Sequence, residues 1–284
     1  MPAELFAIIS AVFLAISGVI ARIALNKRSS PFTAFLTFGS ATVIVWLLIA
    51  ILGLELPNKA GAIFFSLRGI LDPGIAAFLI YVAIRKVGVI FTVPIIAASP
   101  LVSTTLSIIF LKESLTLFIA FGTLLIIFGA VLLNLKHIKN IAHLKYITFA
   151  VVGSVIIGVS AFITKFTLNI SDTPISGLAF SFTTGIIIQI LIITFLRKWK
   201  DLKMDWKIAK IFYLAGLFVS FGFMFRFLAL SQGALIKVAP LVSIMPLFTL
   251  FLSRILLKKH ETITKNVVIG TIFIVIGASV LVLV

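Results

Sequence analysis

The chain has 284 residues, 62% of them hydrophobic and 11% charged, and a formal net charge of +16. Soluble domains are about 45–50% apolar and ~25% charged, so a single water-soluble core is excluded. The positive charge sits in short joints between apolar runs rather than in a basic domain able to hold a duplex, which excludes a nucleic-acid partner; the chain also contains no cysteine, which excludes disulfides and thiol catalysis.

A membrane-spanning helix takes about 20 apolar residues. Ten such runs follow one another, at approximately 4–24, 32–52, 64–84, 91–111, 117–135, 146–166, 175–196, 210–230, 235–257 and 266–284. Runs such as LLIIFGAVLL lack the two-residue alternation of a membrane β-barrel. The N-terminus enters its first run within four residues, without a charged leader or small-residue cleavage site, and is expected to remain as the first helix. In the long joint Arg197–Lys210, Trp199 and Trp206 suit the headgroup level. The expected fold class is an all-α polytopic membrane protein of ten transmembrane helices.

The runs repeat. Pro94 and Pro100 lead through an apolar stretch to Glu113, followed by Gly122 and Gly129; Pro240 and Pro246 lead to Glu261, followed by Gly270 and Gly277. ISGVIARIALN from Ile16 aligns without gaps to VSAFITKFTLN from Val159, with Pro31 and Pro174 following at equal distance. Residues 1–140 and 141–284 are therefore expected to be two five-helix repeats. An odd helix count inverts the second relative to the first, an arrangement that marks secondary transporters with a site near the midplane between the halves. Of the 24 Lys and Arg, 18 fall at the joints after helices one, three, five, seven and nine. The positive-inside rule then puts both termini outside the cytoplasm, in agreement with an N-terminal tail that carries Glu4 and no base.

The Pro100–Glu113–Gly122–Gly129 pattern, its recurrence as Pro246–Glu261–Gly270–Gly277, and the helix endings at Ala83 and Ala229 resemble the drug/metabolite transporter superfamily, in its ten-helix form with two EamA domains. The resemblance covers nearly the whole chain. It implies a basket in which helices three, four, eight and nine, with parts of one and six, line a central cavity. It also implies export of amino acids and other small metabolites across the plasma membrane, driven by ion gradients or exchange. Two features depart from that pattern. Glu261 comes two residues later than the spacing of Glu113 would place it, and the charge bias opposes the family's usual orientation, with both termini inside.

Asp72 lies inside the third run, immediately before Pro73 and Gly74. An ionisable group at helix centre costs about 2.5–3.5 kcal/mol or more on the insertion scale and marks a functional site by default. Proline removes a backbone donor there, as suits a discontinuous helix. Arg68 is one turn earlier on the same helical face. Arg226, in the inverted partner helix, falls at comparable depth, so Arg68, Asp72 and Arg226 are candidates to hold a zwitterion, carboxylate to arginine and ammonium to aspartate. Tyr81 and Phe227 are aromatic partners beside the cavity that the resemblance implies, and Ser103 and Ser243 belong to a polar stripe on helices four and nine. Gln189 can touch substrate or bond a neighbouring helix. Arg22 and Lys165 hold equivalent positions towards opposite faces, which suits either gates or membrane-end anchors. Glu113 and Glu261 suit turns or gates.

The three histidines lie in or beside joints, and no metalloprotease or nucleophile-elbow motif occurs in its required context, which argues against an enzyme. No nucleotide loop is present, so no cofactor is expected. The expected partners are the lipid bilayer, a small-molecule substrate, and protons or a counter-substrate, with the chain a monomer or weak dimer. A multidrug or cation exporter and a lipid-carrier flippase are the competing readings within this fold. Arg68 and Arg226 beside Asp72 would repel cations, which favours a zwitterion or anion.

Overall fold

A computed structural model describes residues 3–25, 29–132, 144–199, 206–256 and 265–283. No strand occurs among them. The helices are α1 (Ala3–Leu25), α2 (Ser30–Leu52), α3 (Lys59–Val87), α4 (Val89–Ile96 and Ser99–Leu106, then a π-helical turn Ser107–Leu111), α5 (Leu117–Leu132), α6 (Leu144–Leu168), α7 (Pro174–Phe195), α8 (Trp206–Gln232), α9 (Leu235–Val242 and Met245–Leu256) and α10 (Lys265–Leu283). Eight stretches are long and apolar enough to cross a bilayer; α5 and the apolar part of α10 are shorter. Each of the ten expected runs is matched by a helix, with ends shifted by a few residues.

The duplicated prolines do duplicated work. Pro31 and Pro174 stand in the first turns of α2 and α7, where no backbone N–H is needed. Pro94 and Pro100 flank the break in α4, and Pro240 and Pro246 flank the equivalent break in α9. Where the chain must turn sharply after α2, Gly53 adopts φ 61°, and Asn58 then starts α3 by accepting a hydrogen bond from Gly61 N at 2.8 Å.

The principal packing is between repeats, not within them. α1 packs on α8, α6 on α3, α2 on α7 and α5 on α10, so each half finds its partners in the other. In lipid this association rests on close packing and interhelical hydrogen bonds rather than on a hydrophobic drive. Ser10 and Ser17 of α1 donate to the Gly222 and Ala215 carbonyls of α8, at 2.7 and 2.9 Å. The repeated glycines meet across α5 and α10. A Cβ at Gly129 would lie 2.6 Å from the Gly270 oxygen, and one at Gly277 would lie 2.6 Å from the Gly122 oxygen.

Because the colliding atoms there belong to backbone, the helices must separate to admit a side chain. Gly129→Leu and Gly277→Leu are each expected to lower stability by about 1–3 kcal/mol, the usual cost of overpacking. Equal falls in the thermal midpoint of the two purified variants would agree with the internal symmetry; an unchanged midpoint would refute this account of the contact.

Candidate functional site

Helix α3 is broken where the sequence places Asp72. Residues Lys59–Gly69 and Ala76–Val87 are regular, but Ile70–Ile75 between them is a π-helical stretch in which Asp72 is extended, φ −141° and ψ 113°, and the Asp72–Pro73 peptide bond is cis. The break frees backbone carbonyls at membrane depth, where lipid offers them no partner. Arg68 Nη1 donates to the Asp72 carbonyl, and Gln189 Nε2, from α7, donates to that of Pro73 at 2.9 Å. Gly185 makes room for the bulge, since a Cβ there would lie 2.6 Å from Pro73 Cγ.

Arg68 also pairs with the aspartate side chain, Nη2 to Oδ2 at 2.9 Å, with only 1% of its surface exposed. Its guanidinium carbon lies 5.1 Å from the ring centroids of both Phe223 and Phe227, within cation–π range. Asp72 is thus clamped by its own helix. Its Oδ1 has no hydrogen-bond donor among the described residues.

Asp72 and Arg226 line one central cavity of about 130 Å³, bounded by α1, α3, α4, α6, α8 and α9, with Phe38 from α2. A space of that size holds roughly four waters at the ~30 Å³ that each takes in the liquid, or one small molecule. Its lining runs from Arg226 and Ala239 towards Ile84 and Val93, nearer the face that carries the basic joints. Arg226 is 8% exposed, and its guanidinium carbon stands 5.9 Å from the Phe223 ring. Among the described residues no carboxylate lies within 4.0 Å of it and no hydrogen-bond acceptor engages it.

The other expected residues divide. Tyr81 and Ser243 line the cavity. Phe227 is fully buried behind Arg68, 6.1 Å from the ring of Phe65. Ser103 is buried outside the lining and donates to the Pro100 carbonyl at 3.4 Å. Gln189 supports backbone, as an interhelical bond would. Arg68 holds Asp72 from behind and is not part of the cavity wall. Sequence reasoning missed Phe223, whose ring centroid lies 5.1 Å from the Arg68 and 5.9 Å from the Arg226 guanidinium carbon, as well as Phe38 and Ser17 in the wall. The only signal for Phe223 was its place one turn before Arg226.

The equivalent cations Arg22 and Lys165 do equivalent work at opposite faces. Arg22 Nη1 donates to the Ile84 and Arg85 carbonyls at 2.7 and 2.9 Å, closing the end of α3. Lys165 Nζ donates to the Leu230 carbonyl at 2.8 Å, near the end of α8. Cations there complement the exposed carbonyls and the helix dipole. Glu113 acts on the next helix. Its Oε1 accepts from Leu235 N and its Oε2 from Ile236 N, both at 2.9 Å, and Oε2 also accepts from the Ser107 hydroxyl. A carboxylate of the first repeat therefore caps the N-terminus of α9 in the second. Glu261 lies outside the described residues.

The model of the EamA-like transporter family matches residues 1–135 and again 144–283. The chain belongs to that family. The match spans both halves, and with it the chain is a multi-pass membrane transporter of the drug/metabolite type. A solved crystal structure superposes on this EamA-family chain with a TM-score of 0.77, covering 99% of this chain and 96% of its own, at 15% identity, which shows the shared fold. No curated protein matches the chain.

Removing the Glu113 carboxylate leaves two N–H groups of α9 without an acceptor. Glu113→Ala is expected to cost about 1–2 kcal/mol, as loss of a helix cap does, while Glu113→Gln, which keeps one acceptor oxygen, is expected to cost less. Thermal unfolding in detergent checks this ordering; equal midpoints for Glu113→Ala and the parent would refute the cap.

Proposed function

We propose that this EamA-family chain is a secondary transporter of a small zwitterionic or anionic metabolite, an amino acid or a compound like it. In this reading residues 1–140 and 141–284 rock against one another and expose the central cavity to each side in turn. The observation that carries the reading is the Arg226 guanidinium, buried in the cavity wall without an acceptor among the described residues. A buried cation left in this state needs an anion to complete it. A carboxylate on Arg226 would leave an ammonium free to approach Asp72 Oδ1. Arg68 already balances the charge of Asp72, so with Arg226 the site is net positive and disfavours a simple organic cation.

Apolar lining from Phe38, Ile80, Val93 and Phe223 suits an uncharged side chain or body on the same molecule. Ser17, Ser99 and Ser243 supply a few polar contacts. Coupling to protons or to a counter-substrate is compatible with this site. The basic joints favour a plasma-membrane orientation with both termini outside the cytoplasm.

Two measurements test the proposal. A charge-assisted hydrogen bond is worth about 1.5–3 kcal/mol, so Arg226→Gln is expected to weaken substrate binding roughly 10- to 100-fold, with Arg226→Lys intermediate. The substrate is first found by the rise in thermal midpoint that it produces in a screen of amino acids, organic anions and quaternary amines. Stabilisation by quaternary amines alone, or undiminished binding by Arg226→Gln, would overturn the anion site. Orientation is tested in the naturally cysteine-free chain. An impermeant thiol reagent on intact cells is expected to label Ser114→Cys, in the joint after α4, and not Lys86→Cys, at the end of α3; the reverse pattern would put both termini in the cytoplasm.

A further inference from the structure

A second recess lies on the outer side of the bundle, away from the central cavity. It runs between the first turns of α2 and α8 and encloses about 750 Å³. Its walls are largely apolar, lined by Phe35 and Leu36 on α2 and by Phe212, Tyr213 and Leu214 on α8. Gly39 opens the trough: a Cβ added there would meet nothing within 4 Å. Deeper along α8 the two helices close on each other, since a Cβ at Gly216 would lie 1.9 Å from Ser40 Oγ.

The mouth has a different chemistry. Trp206 is 73% exposed at the start of α8, and the Lys210 ammonium, also exposed, stands 5.6 Å from its ring centroid. Tryptophan and lysine together mark the level of the lipid headgroups. From Trp206 to Leu214 the helix descends about 12 Å at ~1.5 Å per residue, so the recess leads from headgroup level into the hydrocarbon. This mouth opens on the face where most of the chain's Lys and Arg gather, the face that meets anionic lipid under the positive-inside rule.

We propose that this recess is a binding site for one anionic phospholipid, with an acyl chain in the trough over Gly39 and the headgroup phosphate on the Lys210 ammonium. The apolar trough accounts for a chain, and the Lys210 ammonium beside an interfacial indole accounts for a phosphate. A soluble anion would find no use for the trough, and a zwitterionic lipid would set a choline cation beside its phosphate at the Lys210 ammonium, where an anionic lipid brings net negative charge.

The test uses the full chain, purified in mild detergent and weighed intact by native mass spectrometry after addition of phosphatidylglycerol or phosphatidylcholine. The parent is expected to retain one lipid per chain and to prefer phosphatidylglycerol by about fivefold, the factor that one basic group at an anionic surface contributes. Lys210→Gln is expected to keep a bound lipid but lose the preference. Gly39→Leu, which fills open space on a helix that tolerates leucine well, is expected to keep the parent's thermal midpoint and lose the lipid whatever its headgroup. No retained lipid, equal retention of the two lipids by the parent, or undiminished retention by a folded Gly39→Leu would each overturn the proposal. A lipid-free parent dimer that Gly39→Leu converts to monomer would also overturn it, and would give the recess to a second copy of the chain.

Discussion

Backbone that leaves the helix inside a membrane must find partners within the protein, and this constraint accounts for most of the charged side chains that the bundle buries. The chain breaks at Asp72–Pro73 and turns sharply between α3 and α4 and between α8 and α9. At each of these places a polar or charged side chain meets the exposed backbone. Arg68 and Gln189 hold the two carbonyls at the break. Arg22 and Lys165 cover the ends of α3 and α8, and Glu113 covers the start of α9. Once these duties are assigned, Arg226 is the buried cation without one among the described residues. Its candidacy for substrate therefore rests on elimination as much as on position.

Much of this was legible in the sequence. Apolar runs of the right length fixed the number of spans, because a bilayer permits few alternatives to a helix of that length. The gaps between prolines and glycines revealed the duplication, and those residues mark breaks and close contacts that repeat in three dimensions. Asp72 beside Pro73 announced a broken helix, and the break is there. The tasks of individual side chains were less legible. Nothing in the local sequence tells Glu113 from an ordinary turn residue, because the amides that it holds lie more than a hundred residues away, in the other repeat. Arg68 looked like a cavity residue because it shares a face with Asp72. That same proximity lets it fold back on the aspartate, so it supports the site from outside the wall. Phe227 follows Arg68 out of the wall for the same reason, as part of the aromatic bed beneath the guanidinium.

The packing scheme also limits what either half can be. α1 rests on α8 and α6 on α3, so the contacts that bury one repeat are supplied by the other. The two halves match the same family model, but they are not separately buried cores. Of the caps, those of Arg22 and Lys165 stay within one half each, whereas Glu113 reaches from the first half to the amides of Leu235 and Ile236 in the second.

The halves have nevertheless diverged where the cavity is charged. With the register that pairs Pro94 with Pro240, Arg226 stands opposite Ile80, and Asp72 stands opposite Phe218. A dimer of two identical five-helix chains could not build this site, because every acid or base placed on one side of its axis would be answered by a copy on the other. Within one polypeptide that restriction does not apply: the cavity wall is positive at Arg226 and apolar at the equivalent Ile80, which gives the recess a head and a tail.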